Sequence, residues 1–225
     1  MNCWKLLKRQ SAAKLYIKII ESSTTNLKIN NMQSLDNFKR MNSSELRGFV
    51  TGLILGDGSI NKGTNKRSFT IKSINKDFID YIENCFKETT SFKISIRFIP
   101  EHFSCGCNHK DSWELRIKAN PYFNKLYNFF YDDYRKRHIY SKTLSWLNPR
   151  GLANWYMSDG YICLVGKESG NIRSRRIDIC TDRYTKEDIA LMSNALKTKF
   201  GINTSIIKRD KFYRLRVMSE SYETF

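Results

Sequence analysis

The 225-residue chain has little proline, glycine or histidine, with 3, 11 and 3 residues of each. This scarcity excludes a collagen-like or linker-rich chain. No apolar run is long enough for a membrane-spanning helix, and Lys5, Lys8 and Arg9 interrupt any early signal sequence. Since 40% of the residues are hydrophobic, we expect a folded core.

Acidic residues are also scarce, because 22 Asp and Glu face 39 Lys and Arg, a net charge of +17. This excess favours a polyanionic partner, since neutralised phosphates release condensed counterions. An anionic membrane surface is the alternative, but without a spanning helix we expect no membrane partner. Residues 1–41 are basic and predict either an arm or an organellar presequence. Abundant Lys, Asn and Ile would suit an AT-rich genome, so we expect an organellar protein of a mitochondrion or chloroplast.

Two segments of the chain, VTGLILGDG at 50–58 and LANWYMSDG at 152–160, follow one pattern. Each is an apolar, helix-like run that ends in an acid and a glycine, Asp57-Gly58 and Asp159-Gly160. The two acids lie about half the chain apart, which indicates an internal duplication. A single Asp-Gly pair is an ordinary helix-ending turn, but two copies at matching positions favour a functional pair.

Both segments carry helix start signals. Asn42 with Glu45 three residues later forms a capping box, and Asn148 precedes Pro149 at a first helical position. The sequence therefore predicts two helices that begin at these caps and end at the acids.

Three glycines, Gly48, Gly52 and Gly56, recur every four residues in the first helix and share one face. A glycine inside a helix costs about 1 kcal/mol relative to alanine, so three aligned glycines need a packing reason. The matching positions of the second helix, Asn154 and Ser158, are also small. We predict that the two helices pack closely against each other.

Such packing would bring Asp57 and Asp159 together at the helix C-termini, where the dipole and unpaired carbonyl groups disfavour negative charge. Two carboxylates among carbonyl oxygens need a cation, and Mg²⁺ takes oxygen ligands of this kind. Ions bound there can activate water and stabilise the leaving oxygen of a phosphodiester. The sequence therefore predicts a metal site at these two acids.

A repeated order of secondary structure follows each helix. Alternating apolar and polar residues predict strands at 67–73, 93–98, 113–118, 173–180, 203–208 and 212–217. Helical spacing predicts helices at 76–87, 120–131 and 185–200. We expect an α+β protein with two duplicated αββαββ-type halves, 42–140 and 141–225, whose two antiparallel sheets flank the paired helices.

The polar faces of these strands are basic. An antiparallel sheet that helices cover on one side leaves its other side in water, where Arg and Lys can reach guanine edges and phosphates. Exposed strand faces are also often basic without a specific role. We predict double-stranded DNA as the partner, contacted by Lys72, Arg97, Arg116, Lys118, Arg173, Arg175, Arg176, Arg214 and Arg216.

The two segments, and NPRGLANWYMSDG around the second in particular, resemble the signatures of the LAGLIDADG homing endonucleases in their monomeric, double-motif form. The resemblance covers about residues 42–225 and implies a pseudo-twofold saddle over a long DNA target, with the motif helices at the interface. It implies that Asp57 and Asp159 bind Mg²⁺ with the carbonyl groups of Gly56 and Ser158. It also implies a gene inside an organellar group I intron.

Members of this family also resemble one another in having a basic residue near each metal centre. The segment YRKRHIY at 134–140 lies where the first of these falls, and Lys136 is the candidate. A solvated basic turn that contacts phosphate is the alternative interpretation of Lys136.

The second half departs from the family pattern, because it lacks counterparts of about residues 120–140. That segment would carry the second basic residue, so nicking of one strand and DNA binding without cleavage stay open. A maturase that assists splicing of its own intron RNA on the same scaffold is a further alternative.

Four zinc-type ligands, His102, Cys105, Cys107 and His109, crowd into EHFSCGCNHK between two predicted strands. They could close a tetrahedral site. Because their spacing is irregular and the segment is a hairpin tip, a DNA-facing loop with reduced thiols is favoured over zinc.

Overall fold

Two halves of similar design make up the part of the chain that the computed structural model describes, residues 41–61, 67–104, 106–132, 137–165 and 174–225. Lys136, Arg173, Cys105 and nearly all of the basic extension 1–41 lie outside the described residues. Among the described residues, no helix combines the length and apolar character needed to cross a membrane.

The first half consists of three helices and six strands among the described residues. They are α1 (Ser43–Leu55), β1 (Ser59–Asn61), β2 (Ser68–Ser73), α2 (Lys76–Thr89), β3 (Ile94–Ile99), β4 (His102–Ser104), β5 (Cys107–His109), β6 (Ser112–Ile117) and α3 (Pro121–Phe130). Four of the strands form an antiparallel sheet in the order β1-β2-β6-β3, and β4 and β5 form a small hairpin between β3 and β6.

The second half repeats the arrangement of the first. Its elements are α4 (Ser141–Trp146), α5 (Pro149–Asp159), β7 (Gly160–Val165), β8 (Ser174–Ile179), α6 (Lys186–Phe200), β9 (Thr204–Arg209) and β10 (Phe212–Val217). The strands form an antiparallel sheet in the order β7-β8-β10-β9. The predicted α+β duplication is therefore confirmed, and each predicted strand and helix falls within a residue or two of its expected bounds. Strands β1, β4, β5 and β7 and helix α4 were not predicted, since they are short or lack alternation.

The predicted helix starts are confirmed. The side-chain oxygen of Asn42 accepts hydrogen bonds from the amides of Ser44 and Glu45, and the Glu45 carboxylate accepts from the Asn42 amide at 2.8 Å. The Asn148 side chain accepts from the Gly151 amide at 2.8 Å and donates to the Glu45 carbonyl at 3.0 Å. The starts of α1 and α5 are thus capped and joined to each other.

Each half has its own hydrophobic core, and the two motif helices connect these cores. Leu55 of α1 is buried in the core of the second half beside Trp155. Met157 of α5, its counterpart in the repeat, packs against the core of the first half. Because each helix contributes a side chain to the opposite half, the halves interlock along the helix seam.

The ends of the two halves differ. Helix α3 places Phe123 and Phe130 in the first core. After β10 the chain forms instead a 3-10 turn at Ser219–Ser221, and Phe225 packs edge-on against Tyr156 with ring centroids 5.0 Å apart.

Glycines allow the backbones of α1 and α5 to touch, as predicted. A Cβ atom built on Gly52 would lie 1.8 Å from the carbonyl oxygen of Gly151, and one on Gly151 would lie 2.1 Å from that of Gly48. Near the other end, a Cβ on Gly56 would lie 2.5 Å from the Cβ of Ser158. The helices therefore run in the same direction and end side by side. Gly151 lies one turn before Asn154 and was not predicted to contact Gly52.

We expect Gly52→Ala to lower the free energy of unfolding by about 1–3 kcal/mol or more, because the added methyl group meets backbone atoms that cannot rotate away. Urea unfolding followed by circular dichroism measures the change. Ser44→Ala, at an exposed position of the same helix, is the control and should change stability by less than about 0.5 kcal/mol. Equal unfolding midpoints for Gly52→Ala and the wild type would contradict the close contact.

Candidate functional site at the helix seam

The two predicted acids meet where the motif helices end. Asp57 follows the end of α1, and Asp159 is the last residue of α5. One guanidinium nitrogen of Arg183 lies 3.6 Å from Oδ1 of Asp57 and 3.8 Å from Oδ1 of Asp159. Because both oxygens lie near the same nitrogen, the distance between them cannot exceed the sum of these two distances. The predicted convergence of the acids is confirmed.

The two carboxylates differ in their exposure. The Asp57 side chain is 43% exposed and lines an open cleft of ≈ 670 Å³ with Lys72 and Ser158. The Asp159 side chain is only 10% exposed, and its Oδ2 atom is buried without a hydrogen-bond partner among the described residues. A buried oxygen of this kind is costly unless it binds a donor or a cation.

Burial and mutual repulsion disfavour the charged forms of both acids. Burial, and next the neighbouring Asp57 carboxylate, raise the pKa of Asp159 to about 7, although Arg183 and Arg137 act in the opposite direction. Burial also raises the pKa of Asp57, against the same two arginines. In the absence of another cation, the pair therefore carries less than its full negative charge near neutral pH.

Arg137 closes the C-terminal end of α1, a role that the sequence did not predict. Arg137 directly follows Lys136 in the segment YRKRHIY at 134–140, and its side chain is half-buried. Side chains near a helix C-terminus can satisfy the last carbonyl groups, which have no partner inside the helix. Arg137 donates hydrogen bonds to the carbonyl oxygens of Ile54, Gly56 and Gly58, the last two at 3.1 and 2.8 Å.

The predicted carbonyl ligand at Gly56 is occupied by donors from this chain. Its oxygen accepts hydrogen bonds from Arg137 at 3.1 Å and from Arg183 at 3.0 Å. In this arrangement two guanidinium groups bind the oxygen that was predicted to be a metal ligand. The predicted metal-binding role of the Ser158 carbonyl stays a prediction, and the hydroxyl of Ser158 donates to the Asn154 carbonyl at 3.1 Å.

In the first sheet, the predicted DNA contacts surround a buried acid. Glu114 of β6 lies between Lys72 of β2 and Arg97 of β3 in the strand register. Its carboxylate lies 3.4 Å from the Lys72 ammonium and 2.8 Å from Arg97. Arg116 and Lys118 form no ion pair with any described residue, so their charges remain available to a ligand.

The second sheet also has a buried acid that binds arginines, Asp178 of β8. Its carboxylate lies 3.3 Å from Arg176 and 2.8 Å from Arg216, and it is fully buried. Burial would raise the pKa of Asp178, but hydrogen bonds from Arg216 and Tyr161 bring it below its ordinary value. Arg214 is similarly bound, to Asp182 at 2.6 Å. These arginines are therefore held in fixed directions by carboxylates of their own half.

Arg175 does not belong to this basic face. It alternates with Ile177 and Ile179, whose side chains are buried in the second core. Successive side chains of a strand point to opposite sides, so Arg175 lies on the helix-covered side of β8, at the exposed end of the strand. The structure therefore separates Arg175 from Arg176, and it gives no support to the predicted contact of Arg175 with DNA.

The histidine- and cysteine-rich segment forms the β4–β5 hairpin. His102 and His109 are cross-strand partners whose rings stack with centroids 5.0 Å apart. Within the described residues, no three His, Cys, Asp or Glu side chains lie close enough to hold a metal ion. The zinc alternative thus depends on Cys105, which lies outside those residues.

Residues 47–225 match the LAGLIDADG DNA endonuclease family, and the chain belongs to that family. It is 27% identical over 178 residues to probable intron-encoded endonuclease 1 of Wickerhamomyces canadensis, covering 78% of this chain and 74% of that protein. It is 26% identical over 187 residues to the uncharacterised protein MJ1098 of Methanocaldococcus jannaschii, covering 82% and 66%.

A solved structure shares the fold. The homing endonuclease I-WcaI bound to its DNA recognition sequence matches with a TM-score of 0.68 at 22% identity, covering 89% of this chain and 88% of that one. The predicted architecture of two halves around paired motif helices is thereby confirmed at the level of the fold.

We expect the metal-free protein to lose stability as pH rises from about 4 to about 7. An Asp carboxyl has an ordinary pKa of 3.8, whereas the fold raises the pKa of Asp159 to about 7. In that window the folded chain holds a proton that the unfolded chain has released, so rising pH favours unfolding. Calorimetry in EDTA should show a smaller decline of Tm for Asp159→Asn than for the wild type. Equal declines would contradict the raised pKa.

Proposed function

We propose that this protein is a sequence-specific, Mg²⁺-dependent endonuclease that hydrolyses both strands of a long DNA target. The observation that carries this proposal is the pairing of Asp57 and Asp159 at the ends of two parallel, touching helices. Membership of the LAGLIDADG DNA endonuclease family and the shared fold with DNA-bound I-WcaI support it.

The residues at the seam fit a hard divalent cation. The buried Oδ2 atom of Asp159 has no hydrogen-bond partner among the described residues, and Asp57 opens onto the cleft. These two carboxylates would hold the metal, and they are oxygen donors of the kind that Mg²⁺ prefers. When bound, a divalent ion would supply activation of water and stabilisation of the leaving oxygen.

The chain itself orients the acids and excludes water from one of them. Asp159 is held in the nearly closed end of the seam, whereas Asp57 faces the cleft from which DNA would approach. Arg137 and Tyr184 fix the end of α1 by donating to its carbonyl groups, including that of Leu55 at 2.8 Å. This fixation keeps Asp57 at a constant position relative to Asp159.

The basic faces of the two sheets would contact DNA. Guanidinium groups held by Glu114 and Asp178 are pre-oriented, which suits the reading of base edges. Arg116 and Lys118 form no ion pair with a described residue, and their free charge suits contacts to phosphate. The proposed contact residues are Lys72, Arg97, Arg116, Lys118, Arg173, Arg176, Arg214 and Arg216.

We also propose that the protein acts as a monomer encoded within an organellar group I intron. One chain supplies both motif helices and both acids, so a single copy completes the seam. The description of the W. canadensis relative as probably intron-encoded supports the intron. Support for an organelle comes from the Lys-, Asn- and Ile-rich composition and the basic residues 1–41.

We expect Asp57→Asn and Asp159→Asn each to slow cleavage by at least about 100-fold, because each change removes a charged ligand from the metal site. Binding in EDTA should not weaken, since neither carboxylate attracts phosphate. A duplex selected by binding from a randomised library provides the substrate for both measurements. Asp77→Asn, the same change at an exposed helix start, is the control and should cut normally. Normal cutting in Mg²⁺ by both seam variants would overturn the site.

We expect Arg116→Ala to reduce the slope of log affinity against log salt concentration by about 0.9, the loss of one phosphate contact. Fluorescence anisotropy with the selected duplex over a range of salt concentrations measures this slope. Arg175→Ala removes the same charge from the other side of the sheet and should leave the slope unchanged. A larger change of slope for Arg175→Ala than for Arg116→Ala would contradict the proposal that DNA contacts the basic face of the sheets.

A further inference from the structure

The guanidinium of Arg183 occupies the gap between the two acids of the seam. Its Nη2 atom lies 3.6 Å from Asp57 Oδ1 and 3.8 Å from Asp159 Oδ1, and its Nη1 atom donates to the Gly56 carbonyl at 3.0 Å. One cation of the chain thus contacts the three groups that are expected to surround a metal ion.

The residues on both sides of Arg183 fix this placement. Asp182 binds Arg214, with 2.6 Å between its carboxylate and the Nε atom. Tyr184 is buried and donates its hydroxyl to the Leu55 carbonyl at 2.8 Å. Because its neighbours anchor the backbone against β10 and α1, Arg183 is directed at the seam by the fold and not by its own side-chain contacts alone.

The arrangement is asymmetric. Arg183 belongs to the connection between β8 and α6, residues 180–185, whereas the matching connection between β2 and α2 consists of Ile74 and Asn75 and supplies no cation. Among the described residues, Arg183 is therefore the shared ion-pair partner of both carboxylates.

The contacts of Arg183 with the acids are loose. Their distances of 3.6 and 3.8 Å exceed the 2.6 Å between Arg214 and Asp182, and the Arg183 side chain is 43% exposed. Close charge-assisted hydrogen bonds between arginine and carboxylate are shorter, at about 2.7–2.9 Å. Arg183 therefore compensates the acids electrostatically and keeps a path to solvent along which it can leave.

We propose that Arg183 is the resident counter-ion of the metal-free seam and that divalent cations bind by displacing it. This inference rests on the proposed function, since it concerns the same metal site. Two positive groups in one gap repel each other strongly, because little water separates them. Departure of Arg183 would also leave Arg137 as the one described residue whose side chain donates to the Gly56 carbonyl. That oxygen therefore becomes accessible to a cation only after displacement.

Removal of the competing charge tests the proposal. We expect Arg183→Gln to bind Mn²⁺ about tenfold more tightly than the wild type, measured without DNA by electron paramagnetic resonance of the free ion. Arg183→Lys keeps the charge but spans the two acids less well. Its affinity for Mn²⁺ should therefore lie between those of the wild type and Arg183→Gln. Arg175→Gln, which removes the same charge far from the seam, is the matched control and should bind as the wild type does. Equal or weaker Mn²⁺ binding by Arg183→Gln would overturn displacement, and it is the result that a merely structural role would give.

A second measurement uses the wild-type protein and does not depend on the folding of a variant. In nuclear magnetic resonance spectra, the Arg183 Nε–H signal should move towards that of a solvent-exposed arginine as Mg²⁺ saturates the protein. An unchanged Arg183 signal at saturation would overturn displacement.

The cleavage assay separates the two proposals. In one outcome, the wild type cuts its selected duplex in Mg²⁺ but Arg183→Gln binds Mn²⁺ no more tightly than the wild type does. This outcome would overturn the displacement of Arg183 and leave the proposed endonuclease intact. In the other outcome, the wild type never cuts but Arg183→Gln binds Mn²⁺ more tightly. This outcome would overturn the proposed endonuclease activity and support the displacement of Arg183.

Discussion

The direct contact between the backbones of α1 and α5 determines how the rest of the molecule is arranged. Gly48, Gly52 and Gly151 carry no side chains, so the two helices approach until their main-chain atoms meet. The contact makes the helices parallel and brings their C-terminal ends side by side. It also lets Leu55 and Met157 reach across into the opposite cores. The two sheets are thereby fixed relative to each other as well.

The same contact places several negatively charged or partly negative groups close together at the helix ends. Two carboxylates and the last carbonyl groups of two helices come together in a partly buried space, where negative charge is poorly solvated. The chain compensates with Arg137 on the carbonyl groups and Arg183 between the acids. One buried oxygen of Asp159 remains without a donor among the described residues. A seam of this kind has a strong preference for cations, which is the physical basis of the proposed nuclease chemistry.

Much of the fold was predictable because it depends on local signals. These signals each involve only a few neighbouring residues. They are the helix caps at Asn42 and Asn148, the alternation of apolar and polar residues in the strands, and the spacing of the glycines. The acids were predictable because the duplication doubles an otherwise weak signal, as Asp57 and Asp159 share one context. In contrast, the role of Arg137 depends on a contact with α1 that is remote in sequence. Nothing near Arg137 distinguishes a helix-capping guanidinium from the other basic residues of its segment.

Two features of the site left signals in the sequence that could have been used. Arg183 lies in a polar connection that is longer than the matching connection between β2 and α2. Insertions in one copy of a repeat often form loops on the binding face. Arg175 shares its strand parity with Ile177 and Ile179, and this parity alone assigns it to the covered side. The pairing of Arg97 with Glu114 required the strand register, which the sequence did not define.

The most direct test of the central claim is anomalous diffraction from crystals of the protein soaked in Mn²⁺. The claim is that one glycine-mediated helix contact gathers both carboxylates into a single cation site. It predicts an anomalous peak within about 2.5 Å of carboxylate oxygens from Asp57 and Asp159, in the space between the helix ends. A metal bound only elsewhere, or acids directed away from each other across the seam, would contradict it.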